Sequence, residues 1–536
     1  MKANRSNERM KQTIINLLDR KTLDTGKQKI DFYIVGIGAS AGGLEALEQF
    51  FANMSSDSSL AFIVIQHLSP DYKSFMPELL AKRTDMKVYQ IQDKMEIKPG
   101  CVYLNPPRFN VTISKGQFIL KEHDSAQRVN LTIDTFFESL ASNQNEKSIG
   151  VILSGTGSDG TRGCRAIKEA GGIILVQDEK TAKFNGMPKS VISTKVYDYI
   201  LESDKMPDVI LKYTDQTSLI SVKELAEEKA EESKDLLTQI FDLIKKRYSI
   251  DFGLYKPSTV LRSLDRRMRI CQQPTLEEYL SYLGDNQDEI DLLYNSLLIG
   301  VTKFFRDQEA FETIKSKVIP EILKNKEANA SIRIWTAGCS TGEEPYSIAI
   351  LFKEYMDSVQ KNFNVKIFAT DIDSNAIEYA SAGIYPESIA ADVSLERLNR
   401  FFIKKRDVYQ VTKSIREMVI FSSHNLINNP PFYKIDLVSC RNLLIYFKPQ
   451  LQTRIISSFQ FALETSGFMF LGISETTGEM SNYFSTFDAK WKIFRNKETK
   501  KRPLIDDFSI VSTGVKLAST TPGEDYLRRV SRNNWE

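Results

Sequence analysis

Three residues have the types that acyl transfer requires. Ser40 lies in Val35-Gly36-Ile37-Gly38-Ala39-Ser40-Ala41-Gly42-Gly43, His67 follows the apolar run Ala61–Ile65, and Asp159 closes Leu153-Ser154-Gly155-Thr156-Gly157-Ser158-Asp159-Gly160. A hydroxyl nucleophile, an imidazole to take its proton and a carboxylate to orient the imidazole form a working relay. Each follows a strand-like segment, and in an open parallel sheet the carboxyl ends of the strands share one crevice. Ser40 also precedes a helix, whose first N–H groups are suited to a developing oxyanion. The competing reading of this loop is a dinucleotide fingerprint, as in a nicotinamide-dependent dehydrogenase. That reading needs an acid at the end of the next strand, where Gln66-His67 stands instead.

A second glycine loop, Ala337-Gly338-Cys339-Ser340-Thr341-Gly342-Glu343-Glu344, follows the strand-like Ile332–Trp335. An esterase elbow with Ser340 as nucleophile needs a histidine partner, and only His424 lies in this half. The loop lacks a P-loop lysine, and Glu343-Glu344 give it an acidic rim. The next strand, Val365–Thr370, ends in Asp371-Ile372-Asp373, an acid placed to accept from ribose hydroxyls. Together these describe a site for an adenosine cofactor without phosphates, and S-adenosylmethionine fits. Cys339 and Cys440 read as small packing residues.

The elements that must position these groups alternate short β-branched runs with amphipathic helices, the pattern of parallel α/β sheets. The pattern fades after Ile200 and resumes at Ile332. Between them Ser221–Ser249 reads as one long linking helix, with apolar Leu225, Leu236, Ile240 and Leu243, and a wholly helical stretch follows. The expected fold is two doubly wound, Rossmann-like parallel-sheet α/β domains separated by a helical domain. The 536 residues suit several domains, and 42% hydrophobic with 26% charged residues excludes wholesale disorder. A net charge of +2 gives no bulk argument for nucleic acid. No apolar run reaches membrane-spanning length, and the polar start lacks a signal-peptide core, so a cytoplasmic protein without membrane insertion is expected. Five scattered cysteines and three histidines (His67, His123, His424) indicate no metal site.

The blocks Gly38-Ala39-Ser40 with Gly42-Gly43, Gln66-His67-Leu68-Ser69-Pro70, Gly155-x-Gly157-x-Asp159-Gly160 and Phe184-Asn185-Gly186-Met187-Pro188 resemble the chemotaxis protein-glutamate methylesterase family, the CheB catalytic domain, over residues 30–200. The resemblance implies that Ser40 attacks a glutamyl methyl ester, with glutamine deamidation as a related reaction, that His67 moves the proton, and that Asp159 orients His67. Ala41 stands where relatives often have threonine and Thr156 where methionine is common. Residues 1–29 are too few for the receiver domain usual in that family. Thr302-Lys303-Phe304-Phe305-Arg306-Asp307, Ala337–Pro345, Ala369–Asp373, His424-Asn425-Leu426 and Cys440-Arg441-Asn442-Leu443-Leu444-Ile445-Tyr446 resemble the chemotaxis receptor methyltransferase family, CheR, over residues 233–497. This implies S-adenosylmethionine contacts from Thr302, Arg306, Glu344, Asp371, Asn425, Leu426, Asn442 and Leu443, with Arg306 or Tyr446 aligning the acceptor carboxylate. Gly300 replaces an asparagine found in several relatives.

In Lys256–Ile270, Leu261, Leu264 and Met268 recur at helical spacing while Arg262, Arg266 and Arg269 occupy another face. No aromatic platform accompanies the arginines, which disfavours nucleic acid. The family likeness implies that this basic face meets acidic chemoreceptor cytoplasmic helices. The expected domains are therefore a polar segment 1–29, an esterase domain 30–200, a linker 201–232, a helical domain 233–315, a transferase domain 316–500 with a small β-subdomain near 386–420, and a tail 501–536. The reading is an enzyme that both adds and removes methyl groups on receptor glutamates. The alternative is a signalling scaffold that binds without turnover.

Overall fold

The computed structural model describes residues 30–497 apart from 69–74, 124–129, 216–229 and the single positions 299, 325, 328 and 407. The segment 1–29, Ser69, Pro70, the start of the expected linking helix and the tail 501–536 lie outside the described residues.

The first domain carries β1 (Ile34–Ala39), β2 (Ala61–Gln66), β3 (Lys87–Gln90), β4 (Cys101–Leu104), a hairpin of β5 (Phe109–Ser114) and β6 (Gln117–Glu122), then β7 (Ser148–Ile152), β8 (Ile173–Gln177) and β9 (Tyr199–Leu201). Seven strands form one parallel sheet in the order β3-β4-β2-β1-β7-β8-β9. Every residue of β1, β2 and β7 is buried, because helices cover both faces; this is why these strands read as unbroken apolar runs. The strand order reverses between β1 and β7, so Ser40 and the loop to Asp159 flank the switch point where such sheets bind ligands. The domain extends past the expected boundary at 200. Helix Met206–Asp215 returns to the sheet and buries Met206, Ile210 and Tyr213.

The helical domain contains Ala230–Tyr248, Pro257–Ile270, Leu276–Asp285 and Gln287–Leu297. The second α/β domain follows with β10 (Ser331–Ala337), β11 (Asn364–Asp371), β12 (Ile384–Pro386), β13 (Phe402–Lys405), β14 (Val408–Val411), β15 (Val419–Ser423), β16 (Ile435–Cys440), β17 (Leu463–Leu471), β18 (Phe484–Asp488) and β19 (Ile493–Asn496). Its main sheet runs β15-β11-β10-β16-β17-β19-β18, parallel through β17 and closed by antiparallel β19 and β18. Strands β12, β14 and β13 form the small separate sheet. No helix among the described residues is long and apolar enough to cross a membrane.

The first domain docks on both of the others through polar contacts. Arg165 meets Glu343 at 3.1 Å, Arg162 meets Asp392 at 3.5 Å, and the Ser388 N–H donates to Ser158 Oγ at 3.1 Å. This docking corrects the expected open basic face on helix Pro257–Ile270. Arg266, 3% exposed, lies 3.6 Å from Asp198 and donates to the Gly172 carbonyl; Arg269, 5% exposed, donates to the Tyr33 hydroxyl at 3.0 Å. Arg262 remains exposed, but its stem lies against Gly171. The helix turns Val260, Leu264 and Met268 into its own bundle, and the first domain supplies a carboxylate, a carbonyl and a hydroxyl to the face left over.

Asp198 is the buried anion of this interface, joined also to Lys168 at 2.6 Å. Burial alone would raise its carboxyl, but Lys168 and Arg266 more than offset that and hold it below the ordinary 3.8. A depressed carboxyl contributes stability that is present above 3.8 and lost as pH falls through the folded value. Asp198→Asn, leaving two cations without their anion, is expected to cost about 3 kcal/mol. Denaturant melts across a pH series should show the parent losing stability below 3.8 more steeply than the variant.

Candidate active sites

Ser40 leaves the end of β1, and Gly42, at φ 71°, turns the chain into helix Gly43–Ala52. Only glycine suits that turn: an added Cβ would stand 2.9 Å from Ser154 Oγ. His67 Nδ1 lies 3.0 Å from Ser40 Oγ, and its Nε2 lies 2.8 Å from Asp159 Oδ2. The relay requires the tautomer with its proton on the nitrogen facing Asp159, leaving the other free to accept from Ser40. Asp159, 4% exposed, is itself fixed: Oδ2 accepts from the Ile133 N–H at 3.0 Å, and Oδ1 accepts from the Asp134 and Gly160 N–H groups at 2.9 and 2.8 Å. Ile133 and Asp134 open helix Thr132–Gln144, so the positive end of a helix dipole faces this carboxylate. Beside it, burial and the charge of Asp159 push the Asp134 carboxyl well above its ordinary value.

Residues that the sequence reading did not single out hold this relay. Asn105, after β4, accepts from the Gln66 N–H at 2.9 Å and donates to its carbonyl at 3.0 Å, clamping the backbone just ahead of His67. Ser154 Oγ donates to the Ala41 carbonyl and accepts from the Phe184 N–H, both at 3.0 Å, while its own N–H donates to Gln177 Oε1. The usable signal was a buried polar residue at the end of an apolar run, which Asn105, Ser154 and Gln177 all share. The Ser40 N–H donates to the Ser154 carbonyl, so an oxyanion there must find other donors.

The second site is a cleft at the carboxyl ends of β10, β11 and β16. Six of the expected cofactor contacts line it: Thr302, Arg306, Glu344, Asp371, Asn442 and Leu443, with Tyr446 beside them. Asp371 accepts from the Ser340 N–H at 2.7 Å and the Asp373 N–H at 3.0 Å; burial raises its carboxyl and these amides draw it back. Ser340 is not an elbow nucleophile, because its hydroxyl donates to the Gly300 carbonyl at 2.7 Å. A Cβ on residue 300 would stand 3.0 Å from that hydroxyl, so glycine at 300 and serine at 340 accommodate each other. His424 packs edge-on to Trp335 and stacks on Phe432, and burial lowers its pKa.

Two features add to the expected picture. Asn425 and Leu426 do not line this cleft: the Asn425 side chain accepts from the Ile427 N–H within its own turn, and Leu426 packs against the core shared by the helical and second α/β domains. The acidic rim divides, with Glu344 facing the cleft and Glu343 turned to Arg165 of the first domain. Cys339 and Cys440 are buried with thiols pushed well above their ordinary pKa, as packing residues are.

Two supports escaped the sequence reading. Arg441 lies between the rings of Phe311 and Phe470 and reaches Asp307 at 2.6 Å and Glu344 at 3.5 Å. Glu475 is 3% exposed and accepts from the N–H groups of Asn442 (3.0 Å), Leu444 (2.7 Å) and Gly472 (2.6 Å), which fixes the loop that bears Asn442 and Leu443. The fit of an adenosine cofactor is supported by Asn442 Oδ1, a buried acceptor in this cleft with no donor among the described residues.

Residues 35–210 match the CheB methylesterase family, residues 235–298 the all-α domain of CheR methyltransferase, and residues 300–493 its SAM-binding domain. An uncharacterized 104.1 kDa protein of Rhodobacter capsulatus is 36% identical over 450 residues, 80% of this chain and 47% of that protein; the chain thus spans about half the length of that relative. A chemotaxis protein methyltransferase of Borreliella burgdorferi is 31% identical over 270 residues, 48% of this chain and 94% of that protein. The crystal structure of the Thermotoga maritima CheB methylesterase catalytic domain is 32% identical, covers 34% of this chain and 99% of its own, and gives a TM-score of 0.33.

The Glu475 carboxylate faces only N–H donors, so Glu475→Gln would aim an amide NH₂ at one of them. The expected cost is about 1–3 kcal/mol of stability from unsatisfied buried groups. S-adenosylmethionine binding, measured by calorimetry, should weaken about tenfold, equivalent to about 1.4 kcal/mol.

Proposed function

The chain belongs to the CheB methylesterase family over residues 35–210 and to the CheR methyltransferase family over residues 235–493, and from that premise we propose one polypeptide that both adds and removes methyl groups on chemoreceptor glutamates. The observation that carries the reading is the unbroken relay from Ser40 through His67 to Asp159, at 3.0 and 2.8 Å, on a different domain from the cofactor cleft.

In hydrolysis, Ser40 Oγ attacks the ester carbonyl as its proton passes to His67. Asp159, held by backbone amides, keeps the imidazole oriented and stabilises its charged form. His67 then returns the proton to the leaving methoxide, releasing methanol and an acyl-serine. Water attacks that ester by the same proton path and frees the glutamate. A glutamine side chain would follow the same course with ammonia leaving.

In methylation, S-adenosylmethionine supplies an electrophilic methyl group on a sulfonium. A glutamate, with a pKa of about 4.3, is ionised at neutral pH and needs no base. The chain's part is to hold that carboxylate in line at near-attack distance. Arg306 and Tyr446 are the donors at the cleft suited to this task, one a cation and one a hydroxyl. Asp371 and Glu344 would take hydroxyl or cationic groups of the cofactor.

The two activities are expected to separate by single substitutions. Soluble chemoreceptor cytoplasmic fragments would be incubated with methyl-labelled S-adenosylmethionine, and label on protein and released methanol measured separately. Ser40→Ala should lower methanol release by about a thousandfold or more while sparing methylation. Arg306→Ala should block methylation and leave hydrolysis of premethylated fragment intact. Parental methanol release by a well-folded Ser40→Ala protein would refute the relay.

A further inference from the structure

The first domain places beside the methyltransferase cleft a side chain that neither reaction uses. Glu169 ends helix Thr161–Glu169, and its Oε1 stands 3.5 Å from the Tyr446 hydroxyl. Tyr446 and Arg306 both line the cleft. Burial pushes the Glu169 carboxyl up, while the charge of Arg306 and the Tyr446 hydroxyl draw it back. The helix is held in this position along its length. Arg162 and Arg165 pair with Asp392 and Glu343, and Lys168 shares Asp198 with Arg266. Two residues beyond Glu169, a Cβ on Gly171 would lie 2.6 Å from Arg262 Cδ, which shows how closely the helical domain covers this end.

We propose that Glu169 is a built-in occupant of the acceptor-carboxylate position, so that the docked first domain competes with external glutamyl side chains for Arg306 and Tyr446. The inference rests on the reading of those two residues as the acceptor-holding pair. Glu169 has the same side chain as the acceptor, lies at hydrogen-bond reach of the Tyr446 hydroxyl and is drawn by the Arg306 charge. The docking that delivers it also buries Arg266 and Arg269, two of the three arginines of the expected basic face. One domain therefore covers both the acceptor position and those arginines, and an external glutamate gains entry by displacing Glu169.

The test uses the full chain as parent, Glu169→Ala and Glu169→Gln, each checked for a parental melting profile. S-adenosylhomocysteine binding is measured by calorimetry. Methyl transfer from S-adenosylmethionine to a soluble chemoreceptor cytoplasmic fragment is followed kinetically, and binding of that fragment is titrated with S-adenosylhomocysteine present. In both variants the KM for the fragment should fall about five- to tenfold with kcat little changed, and its affinity should rise by the same factor, because a competing occupant has been removed. Glutamine keeps the size and hydrogen bonding of Glu169 without its charge, so a side chain that merely packs would leave Glu169→Gln at the parental KM. That result, or an unmoved KM and affinity in Glu169→Ala, overturns the proposal. Intact S-adenosylhomocysteine binding with an unmoved KM refutes this inference alone. Absence of S-adenosylhomocysteine binding to the parent refutes the methyltransferase reading, and the inference with it.

Discussion

Where parallel strands end and helices begin, backbone N–H groups are left without partners, and burying them is costly. Both sites answer that constraint with carboxylates. Asp159 gathers the amides of Ile133, Asp134 and Gly160; Asp371 gathers those of Ser340 and Asp373; Glu475 gathers those of Asn442, Leu444 and Gly472. Each carboxylate thereby satisfies loops from separate parts of the chain and fixes them relative to one another. The geometry of the proposed relay follows from this bracing: Asp159, held by three amides, meets one nitrogen of His67, and Ser40 meets the other.

This explains which parts were legible in the sequence. Strand ends announce themselves where an apolar run stops at a polar residue, so Ser40, His67, Asp159 and Asp371 could be read directly, as could both sheets. The bracing partners could not be read in the same way. Asn105 lies 39 positions from Gln66, and Glu475 lies 33 positions from Asn442; local periodicity carries no trace of such pairings. Nor could the sequence show that the Asn425 side chain is claimed by the Ile427 N–H, since a motif places residues near a cleft without saying which backbone groups claim their side chains. The arginines of helix Pro257–Ile270 were correctly assigned to a polar face. Periodicity distinguishes that face from the apolar one but does not reveal what covers it, and Asp198 and Tyr33 come from a different domain.

The join between the domains alters how each site is understood. Glu343 and Glu344 are neighbours in sequence, yet one answers Arg165 across the join and the other faces the cleft with Arg441 behind it. On the other side, Ser158, adjacent to Asp159, accepts from the Ser388 N–H beside the small sheet. Loops that serve chemistry in one domain are thus tied, one residue away, to the surface of the other.

The composition of that join has its own consequence. Arg162–Asp392, Arg165–Glu343 and Arg266–Asp198 cross it as ion pairs, and Arg269 crosses it to a hydroxyl. Removing such groups from water nearly cancels what their attraction returns, so these pairs fix the register of the join more than they stabilise it. On parting, each half offers charges that water solvates readily, in place of the broad apolar patch that invites foreign chains.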